Sequence, residues 1–245
     1  MSVSKKKILS FIDLTSLNST DTEGSIEALA QKTRKLFLSE NTVAAVCVYP
    51  SFASTVKAVL SDTIVKTAVV GACFPASQSF LDVKKLECEQ AVKNGADEVD
   101  IVINLGLFFD EKYAAVIEEI KEIKSVIKTA KLKVIIESGL LKPSEIEKAT
   151  EIAIKGGADF VKTSTGKVET GATPEAVENI CKTIARLDKN NSRKTGVKVS
   201  GGVRSYDDAV KYYSIVEKEL GASYLTPDFF RIGASSLVSN LLNEN

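Results

Sequence analysis

The 245-residue chain contains no histidine. This absence excludes the Ser-His-Asp and Cys-His mechanisms of covalent catalysis, and it excludes the usual zinc and iron sites with imidazole ligands. If the chain is an enzyme, its protons must be moved by lysine, aspartate, glutamate, tyrosine or cysteine side chains.

An excess of charge of either sign is also absent. The 32 basic and 32 acidic residues give a formal net charge of +0 at pH 7. No overall field therefore attracts nucleic acid or an anionic membrane, and neither is an expected partner. Any anion that the protein recognises must be bound by a local site.

Long apolar runs and disulfide-type cysteine patterns are missing as well. No run reaches membrane-spanning length, and the apolar part of the opening sequence MSVSKKKILSFIDLTS is too short for a signal peptide. The four cysteines, Cys47, Cys73, Cys88 and Cys181, include no CxxC pair. We expect a reduced cytoplasmic protein whose cysteines are small buried apolar side chains rather than disulfide partners.

The chain does contain a regular alternation of short β-rich runs and longer amphipathic runs. Eight runs predict strands at 11–15, 43–49, 64–72, 98–104, 133–138, 160–165, 196–201 and 229–234. The clearest longer runs predict helices at 80–94, 111–129, 143–155, 174–188 and 205–219. The strand candidates are apolar along their length, which is typical of parallel strands covered by helices on both faces.

Eight strand–helix units in a chain of this length predict an α/β fold of the (β/α)8, or TIM-barrel, type. A short N-terminal extension precedes the first strand. A doubly wound open sheet is the competing fold, but it favours fewer strands and a glycine-rich turn after the first one, which this sequence lacks. Because no linker or low-complexity segment divides the chain, residues 1–245 are expected to form a single domain.

A weak internal similarity supports the repeated unit. The segment KNGADEVD ends at Asp100, and KGGADFVK ends at Lys162. Each predicts a helix end, a glycine at the C′ position (Gly95 and Gly157) and a following strand. The equal offsets would direct an aspartate and a lysine into the same space of one barrel. The equally favoured alternative is that Gly-Ala-Asp is merely a common way to leave a helix.

Three of the predicted strands, EVDIV, FVKTST and GVKVSGG, carry an ionisable residue in apolar surroundings, namely Asp100, Lys162 and Lys198. Unpaired charges are unfavourable both in the packed interior of a barrel and beneath its helices. The C-terminal ends of barrel strands form the active site in enzymes of this fold. We therefore predict that the three side chains meet at the mouth of the barrel.

Two lysines and an aspartate in one place have a specific chemical use. A second cation and partial desolvation disfavour the charged form of Lys162 and lower its pKa. A neutral amine can form a Schiff base, whose iminium accepts electrons when a neighbouring C–C bond breaks, and Asp100 is the available acid or base. The alternative is a buried Lys–Asp pair with no chemistry, whose gain in stability is uncertain.

Glycine- and serine-rich segments, VSGGVRS and RIGASSL, follow the last two predicted strands. Glycines let backbone N–H groups approach an anion, and a helix N-terminus with hydroxyl donors adds to this. Because the loops after strands seven and eight often bind phosphate in barrels, we predict a phosphate site, to which TSTGK adds Gly166 and Lys167. TSTGK is not a P-loop, since Val161 and Val168 replace the required glycine and hydroxyl residue.

Seven segments spread over nearly the whole chain carry a family resemblance: IDLTSLN (12–18), AAVCVYPSF (44–52), GADEVDIVIN (95–104), KVIIESGLL (133–141), GADFVKTSTGK (157–167), GGVR (201–204) and GASSL (233–237). Together they closely resemble the 2-deoxyribose-5-phosphate aldolases, a class I aldolase family with a (β/α)8 barrel. FVKTSTGK followed by K-x-x-GGVR is close to diagnostic. The implied reaction is the reversible cleavage of 2-deoxy-D-ribose 5-phosphate to D-glyceraldehyde 3-phosphate and acetaldehyde.

The resemblance also implies residue roles. Lys162 would form the Schiff base with the aldehyde donor, Lys198 would be the second lysine that tunes it, and Asp100 would be the proton-relay carboxylate. Asp13 would line the catalytic site. The implied substrate contacts are Thr15, Leu17 and Thr165 near the sugar, and Gly166, Lys167, Gly201, Gly202, Gly233, Ser235 and Ser236 at the phosphate. The implied partner is a small phosphorylated sugar, without a metal or organic cofactor, and a homodimer is an assembly to be tested.

Two features depart from the family pattern. The second lysine lies in KVSGG, where other members have KPAGG or KASGG, but its spacing from the glycines is kept. Some members have a C-terminal tail whose tyrosine assists proton transfer, whereas this sequence ends in SNLLNEN without such a tyrosine. Two alternatives stay open: another lysine-dependent barrel aldolase or transaldolase, and a non-catalytic barrel that binds a phosphorylated metabolite.

Overall fold

The computed structural model describes residues 3–188 and 193–243. Eight parallel strands follow one another around a closed barrel in sequence order, and the eighth pairs with the first. The strands are β1 (Ile12–Thr15), β2 (Ala45–Val48), β3 (Lys66–Val70), β4 (Glu98–Val102), β5 (Lys131–Ile135), β6 (Phe160–Lys162), β7 (Gly196–Ser200) and β8 (Phe230–Ala234). The predicted (β/α)8 barrel is confirmed.

Helices connect the strands on the outside of the barrel. They are α1 (Lys5–Leu9), α2 (Glu23–Leu38), α3 (Ala53–Leu60), α4 (Leu81–Lys93), α5 (Leu105–Phe109), α6 (Tyr113–Ile127), α7 (Pro143–Lys155), α8 (Pro174–Asp188), α9 (Tyr206–Leu220) and α10 (Leu237–Asn243). All five helices predicted from the sequence are present. Helix α1 is the N-terminal extension, and it packs against α9 and α10.

The two faces of the strands have different surroundings. On β4, Val99 and Ile101 are 0% exposed and pack into the main core between strands and helices. Each such burial stabilises the fold by about 1.5–3 kcal/mol. On β2 and β3 the face that points into the barrel is also apolar. Its residues Ala45, Cys47, Ala68 and Val70 form a small separate cluster with Leu17. The inner face of the other strands carries the charged residues described below.

Glycines in the left-handed region end two of the helices. Gly95 follows α4 with a φ of 100°, and Gly157 follows α7 with a φ of 94°. A residue with a Cβ is strained in this conformation, so glycine lets the chain turn directly into β4 and β6. The predicted helix end, glycine and strand are therefore all present in both segments.

All eight observed strands differ from their predicted bounds, and β5 and β6 differ most, by three residues at the C-terminal end. The predicted strand 133–138 is observed as Lys131–Ile135, and 160–165 is observed as Phe160–Lys162. Beyond β5, the backbone N atoms of Ile136 and Ser138 still donate to the carbonyl oxygens of Lys162 (3.0 Å) and Thr163 (2.8 Å). The regular strand nevertheless ends here, where Glu137 adopts a left-handed conformation with a φ of 52°. Its carboxylate then accepts hydrogen bonds from the backbone N (3.0 Å) and Oγ1 (2.6 Å) of Thr165. A side chain thus supplies contacts that a longer strand pair would otherwise have made.

The cysteines and the helices agree with the expectations drawn from the sequence. Cys47, Cys88 and Cys181 are free and buried, and Cys73 is free and half-buried. None of the helices in the two described ranges combines the length and the apolar character needed to cross a bilayer.

Candidate active site

Asp100, Lys162 and Lys198 meet inside the barrel, at the inner faces of β4, β6 and β7. Nζ of Lys162 lies 2.8 Å from Oδ2 of Asp100, and Nζ of Lys198 lies 2.7 Å from the same oxygen. The two lysines are register partners on neighbouring strands. The sequence-based prediction that these three side chains converge is therefore confirmed.

Further charged side chains extend this group across the barrel. Lys198 also donates to Oδ2 of Asp13 at 2.5 Å, and Arg231 donates to Oδ1 of Asp13 at 2.6 Å. Direct contacts join seven buried residues, which we call the interior charge cluster: Asp13, Glu98, Asp100, Lys133, Lys162, Lys198 and Arg231.

Lys133 and Arg231 are members of this cluster that the sequence analysis did not identify. Lys133 donates to Oε2 of Glu98 at 2.5 Å and to Oδ1 of Asp100 at 3.1 Å. Arg231 donates to both oxygens of Glu98, at 2.7 and 3.1 Å. A signal was present, because each is a lone cation in an otherwise apolar strand segment, KVIIES and FFRIGA. The same signal had pointed to Lys162.

The expectation that the ionisable residues meet at the mouth of the barrel is correct for Lys162 alone. Lys162 lines the cavity at the C-terminal ends of the strands, whereas Asp100, Lys198 and Asp13 are 0% exposed and do not line it. Asp13 contacts Lys198 and Arg231 beneath the cavity, and its role in the site stays a prediction. The barrel interior accepts these charges because each one is paired with opposite charges, which offsets the desolvation that an isolated charge would suffer.

The surroundings of Lys162 disfavour its protonated form. Burial lowers the pKa of this amine, the nearby Asp100 carboxylate opposes that effect, and the Lys198 ammonium adds to it. The outcome is a pKa below the ordinary lysine value. This direction agrees with the sequence-based hypothesis, although burial contributes more to it than the second lysine does.

The partners of Lys162 stay charged. Burial would lower the pKa of Lys198, but Asp100 and Asp13 overcome this and raise it. Burial would raise the pKa of Asp100, but Lys133, Lys162 and Lys198 lower it well below its usual range. Around neutral pH the site therefore combines a carboxylate, an ammonium group and a less basic amine.

The cavity above Lys162 has a volume of about 460 Å³, enough for a small metabolite. It is formed by the loops after β1, β6, β7 and β8. Every residue predicted to contact substrate lines it: Thr15, Leu17, Thr165, Gly166, Lys167, Gly201, Gly202, Gly233, Ser235 and Ser236. The structure thus brings together the predicted contacts, while their individual roles stay predictions.

The glycines of this cavity have specific geometric functions. Gly166, Gly201 and Gly202 have φ values of 76°, 88° and 88°, which side chains with a Cβ rarely adopt. Gly233 has a different function, because an added Cβ would lie 2.9 Å from Cβ of Ser200 and 3.2 Å from Cε of Lys198. The absence of a side chain at Gly233 leaves room for the lysine stem.

Glu137 organises the loop after β6, and the sequence analysis did not assign it a role. It is buried, and its carboxylate binds both the backbone N and the hydroxyl of Thr165. Oγ1 of Thr165 in turn accepts from the backbone N of Lys167 at 3.0 Å. Nζ of Lys167 donates to the carbonyl oxygen of Leu17 at 2.5 Å, which connects this loop to the one after β1.

Comparison with known proteins gives the class of this barrel. Residues 7–237 match the sequence model of the DeoC/LacD family aldolases. The solved structure of an aldolase designated QR15 superimposes with a TM-score of 0.81 at 35% identity, over 96% of this chain and 94% of that one. The fold, the lysine-containing cavity and these matches define a barrel aldolase, which is a lyase.

Two further relatives give the family within that class. Human deoxyribose-phosphate aldolase is 37% identical over 249 residues, which is 96% of this chain and 78% of the human protein. The deoxyribose phosphate aldolase of Aeropyrum pernix, described as a tetramer, is 30% identical with a TM-score of 0.78, over 98% of this chain and 91% of that one. The chain belongs to the deoxyribose-phosphate aldolase family.

Proposed function

We propose that the protein reversibly cleaves 2-deoxy-D-ribose 5-phosphate to D-glyceraldehyde 3-phosphate and acetaldehyde through a Schiff base on Lys162. The observation that carries this proposal is a combination found at Lys162 and at no other cation of the interior charge cluster. Its amine lines the cavity, and its pKa is lowered, whereas the pKa values of Lys133, Lys198 and Arg231 are raised.

In the cleavage direction, the neutral Nζ of Lys162 attacks the C1 aldehyde carbon of the open-chain sugar phosphate. The resulting carbinolamine loses its oxygen as water and becomes an iminium ion. The proton that leaves with this oxygen comes, through a relaying water molecule, from Lys198, whose ammonium group is bonded to Asp100 beside Lys162. Because Lys198 stays protonated at neutral pH, this donor is available before each turnover.

The C2–C3 bond breaks in the next step. A base removes the proton of the C3 hydroxyl, C3 becomes the aldehyde of glyceraldehyde 3-phosphate, and the electron pair of the bond moves into the iminium to form an enamine. Asp100, acting through a water molecule, is the base in this proposal. The enamine then takes up a proton at C2, water hydrolyses the imine, and acetaldehyde leaves.

The loops after β6, β7 and β8 suit the phosphate end of the substrate. The turn at Gly201 and Gly202 directs backbone toward the cavity, and Ser235 and Ser236 add exposed hydroxyl groups. Lys167 supplies a cation at the same wall of the cavity. Backbone N–H groups, hydroxyl groups and a lysine are the usual partners of a phosphate group.

Trapping with acetaldehyde tests the proposal directly. Incubation with acetaldehyde and borohydride, followed by peptide mapping, should add an ethyl group to Lys162. Lys167→Met, which removes the other lysine of the cavity, should still be labelled at Lys162, whereas Lys162→Met should not be labelled. Absence of label on Lys162 in the unaltered protein would contradict the mechanism and would favour a non-catalytic barrel.

Substrate profiling separates the proposed reaction from those of other lysine-dependent barrel aldolases and transaldolases. Acetaldehyde should serve as the donor with glyceraldehyde 3-phosphate, and the product should be 2-deoxyribose 5-phosphate by NMR. Turnover confined to larger ketone donors would contradict the proposed substrate while leaving the Schiff base intact.

The expected setting of this activity is a cytoplasmic assembly of identical chains. Free cysteines are compatible with a reducing compartment. The tetrameric state of the Aeropyrum pernix relative supports self-association, for which a homodimer is the simplest form. Light scattering on the purified protein measures the number of chains.

A further inference from the structure

The interior charge cluster contains unequal numbers of cations and anions. Its ion pairs join four cationic side chains, Lys133, Lys162, Lys198 and Arg231, to three carboxylates, Asp13, Glu98 and Asp100. All seven side chains are almost completely buried, so water and salt ions cannot compensate the difference. An excess positive charge in such a place is unfavourable, and it is removed if one amine loses its proton.

The contacts indicate which cation is the surplus one. Lys133 contacts all three carboxylates, Lys198 contacts Asp13 and Asp100, and Arg231 contacts Asp13 and Glu98. Lys162 has a single carboxylate partner in the cluster, Asp100, which it shares with two other lysines. The least compensated cation is therefore the one that faces the cavity.

Arg231 differs from the other cations in that its charge is permanent. A guanidinium group does not lose its proton in proteins, whereas a buried lysine can. Burial would lower the pKa of Arg231, but Asp13 and Glu98 raise it. Its Nε also donates to the carbonyl oxygen of Pro227, which orients the group. Arg231 is 3% exposed and does not line the cavity, so contact with substrate is not its role.

We propose that Arg231 is a positioning residue that keeps Lys162 uncharged, because it occupies Asp13 and Glu98 and, with the ammonium groups of Lys133 and Lys198, balances the three carboxylates. This inference rests on the proposed Schiff base at Lys162. Arg231 acts on the Lys162 amine through the charged side chains that lie between the two residues. It lies on β8, across the barrel from β4.

The other elements around Lys162 do not alter this balance. The groups that face it are Asp13 on β1, Cys47 on β2, Glu98 and Asp100 on β4, Lys133 on β5, Lys198 on β7 and Arg231 on β8. The inner residues Ala68 and Val70 of β3 are not ionisable. Burial raises the pKa of the Cys47 thiol, which is therefore neutral at pH 7. The buried Glu137 binds the backbone N and hydroxyl of Thr165, and the ion pairs of the cluster's four cations do not include it.

A pair of variants with opposite charge changes tests the inference. Arg231→Met removes a cation and Glu98→Gln removes an anion, yet each deletes one member of the same contact. The protonation midpoint of Lys162 is measured by trace labelling with acetic anhydride at a series of pH values, followed by peptide mass spectrometry. This readout reports the neutral amine and requires no catalysis.

We expect the midpoint to rise in Arg231→Met and to fall in Glu98→Gln. Each displacement should be about one pH unit or more, which changes the neutral fraction of Lys162 about tenfold at a fixed pH below the midpoint. The double variant Arg231→Met/Glu98→Gln should stay near the unaltered protein, because it keeps the charge balance.

Several outcomes would overturn the inference. Displacements in the same direction in both single variants, or none in either, would mean that only packing matters. If Arg231→Met does not fold, Glu98→Gln decides alone, since a midpoint that is unchanged or raised contradicts the charge balance. Failure of the proposed function is distinguishable, because it appears as absence of acetaldehyde trapping in the unaltered protein, whatever the labelling midpoints are.

Discussion

Lys162 and Lys198 lie opposite one another on β6 and β7, and both donate to Oδ2 of Asp100. One carboxylate oxygen cannot fully compensate two buried ammonium groups. Lys198 has a second carboxylate partner, Asp13, whereas Lys162 borders the cavity. This asymmetry raises the pKa of Lys198, whereas the pKa of Lys162 is lowered.

The first prediction concerns Lys198→Leu. Removal of this ammonium group eliminates its repulsion of protonated Lys162, while the attraction by the Asp100 carboxylate remains. The pKa of Lys162 should therefore rise. The acidic limb of the pH profile of kcat/KM should move to higher pH, and the rate at pH 7 should fall by about 10²-fold or more. Lys131→Leu, which removes a lysine bonded to Asp228 outside the cluster, should leave the limb in place. An unmoved limb in Lys198→Leu would contradict the electrostatic role.

The second prediction tests the phosphate site with Ser235→Asp. A carboxylate at this exposed position of the cavity should repel the substrate phosphate. The KM for 2-deoxyribose 5-phosphate should rise by about tenfold or more, whereas the rate with unphosphorylated deoxyribose should change little. Ser125→Asp adds the same charge on the exposed surface of α6, away from the cavity, and should affect neither substrate. Equal losses with both substrates would argue against a phosphate site at Ser235.

The third prediction concerns Gly171→Ala. A Cβ at this position would lie 2.4 Å from the carbonyl oxygen of Gly201, which belongs to the turn lining the cavity. Because backbone atoms must move, the variant should be destabilised by about 1–3 kcal/mol and should bind phosphorylated substrate more weakly. The control is Gly24→Ala in α2, where an added Cβ meets nothing within 4 Å. Thermal unfolding and KM measure both effects, and equal stability of the two variants would contradict the prediction.

The fourth prediction concerns the pH dependence of stability in Asp13→Asn. Burial opposes ionisation of Asp13, but Lys198, Lys133 and Arg231 hold its pKa below the ordinary value of 3.8. A carboxylate with a depressed pKa stabilises the folded state above the unfolded pKa, and this contribution is lost as the pH falls through the folded pKa. Asp13→Asn should therefore be less stable at pH 7, by about 3–5 kcal/mol for a broken buried pair.

The difference between the two proteins should narrow as the pH falls below 3.8, because the unfolded Asp13 then gains a proton that the folded one resists. Urea unfolding at several pH values between neutrality and the acid transition measures the difference in free energy of unfolding between the unaltered protein and Asp13→Asn. A difference that stays constant across the range would mean that Asp13 contributes through shape rather than charge.

The strands and the position of Lys162 in the barrel could be predicted because their signals are local. Apolar runs punctuated by glycines such as Gly95 and Gly157 indicate where helices end and strands begin. The ends of β5 and β6 could not be predicted, since they depend on a contact between Glu137 and Thr165 across two different loops. A side chain that replaces ladder hydrogen bonds leaves no periodic pattern in the sequence.

The sequence by itself determined the order of eight apolar segments, the positions of the turns and the presence of Lys162 and Lys198 on inner-facing strand positions. Only the tertiary structure decided which charges compensate one another. Asp13 and Lys198 are 185 residues apart, and they touch because the barrel closes with β8 beside β1. Electrostatic interaction depends on distance and burial in three dimensions, so the surroundings that lower the pKa of Lys162 follow from closure of the sheet.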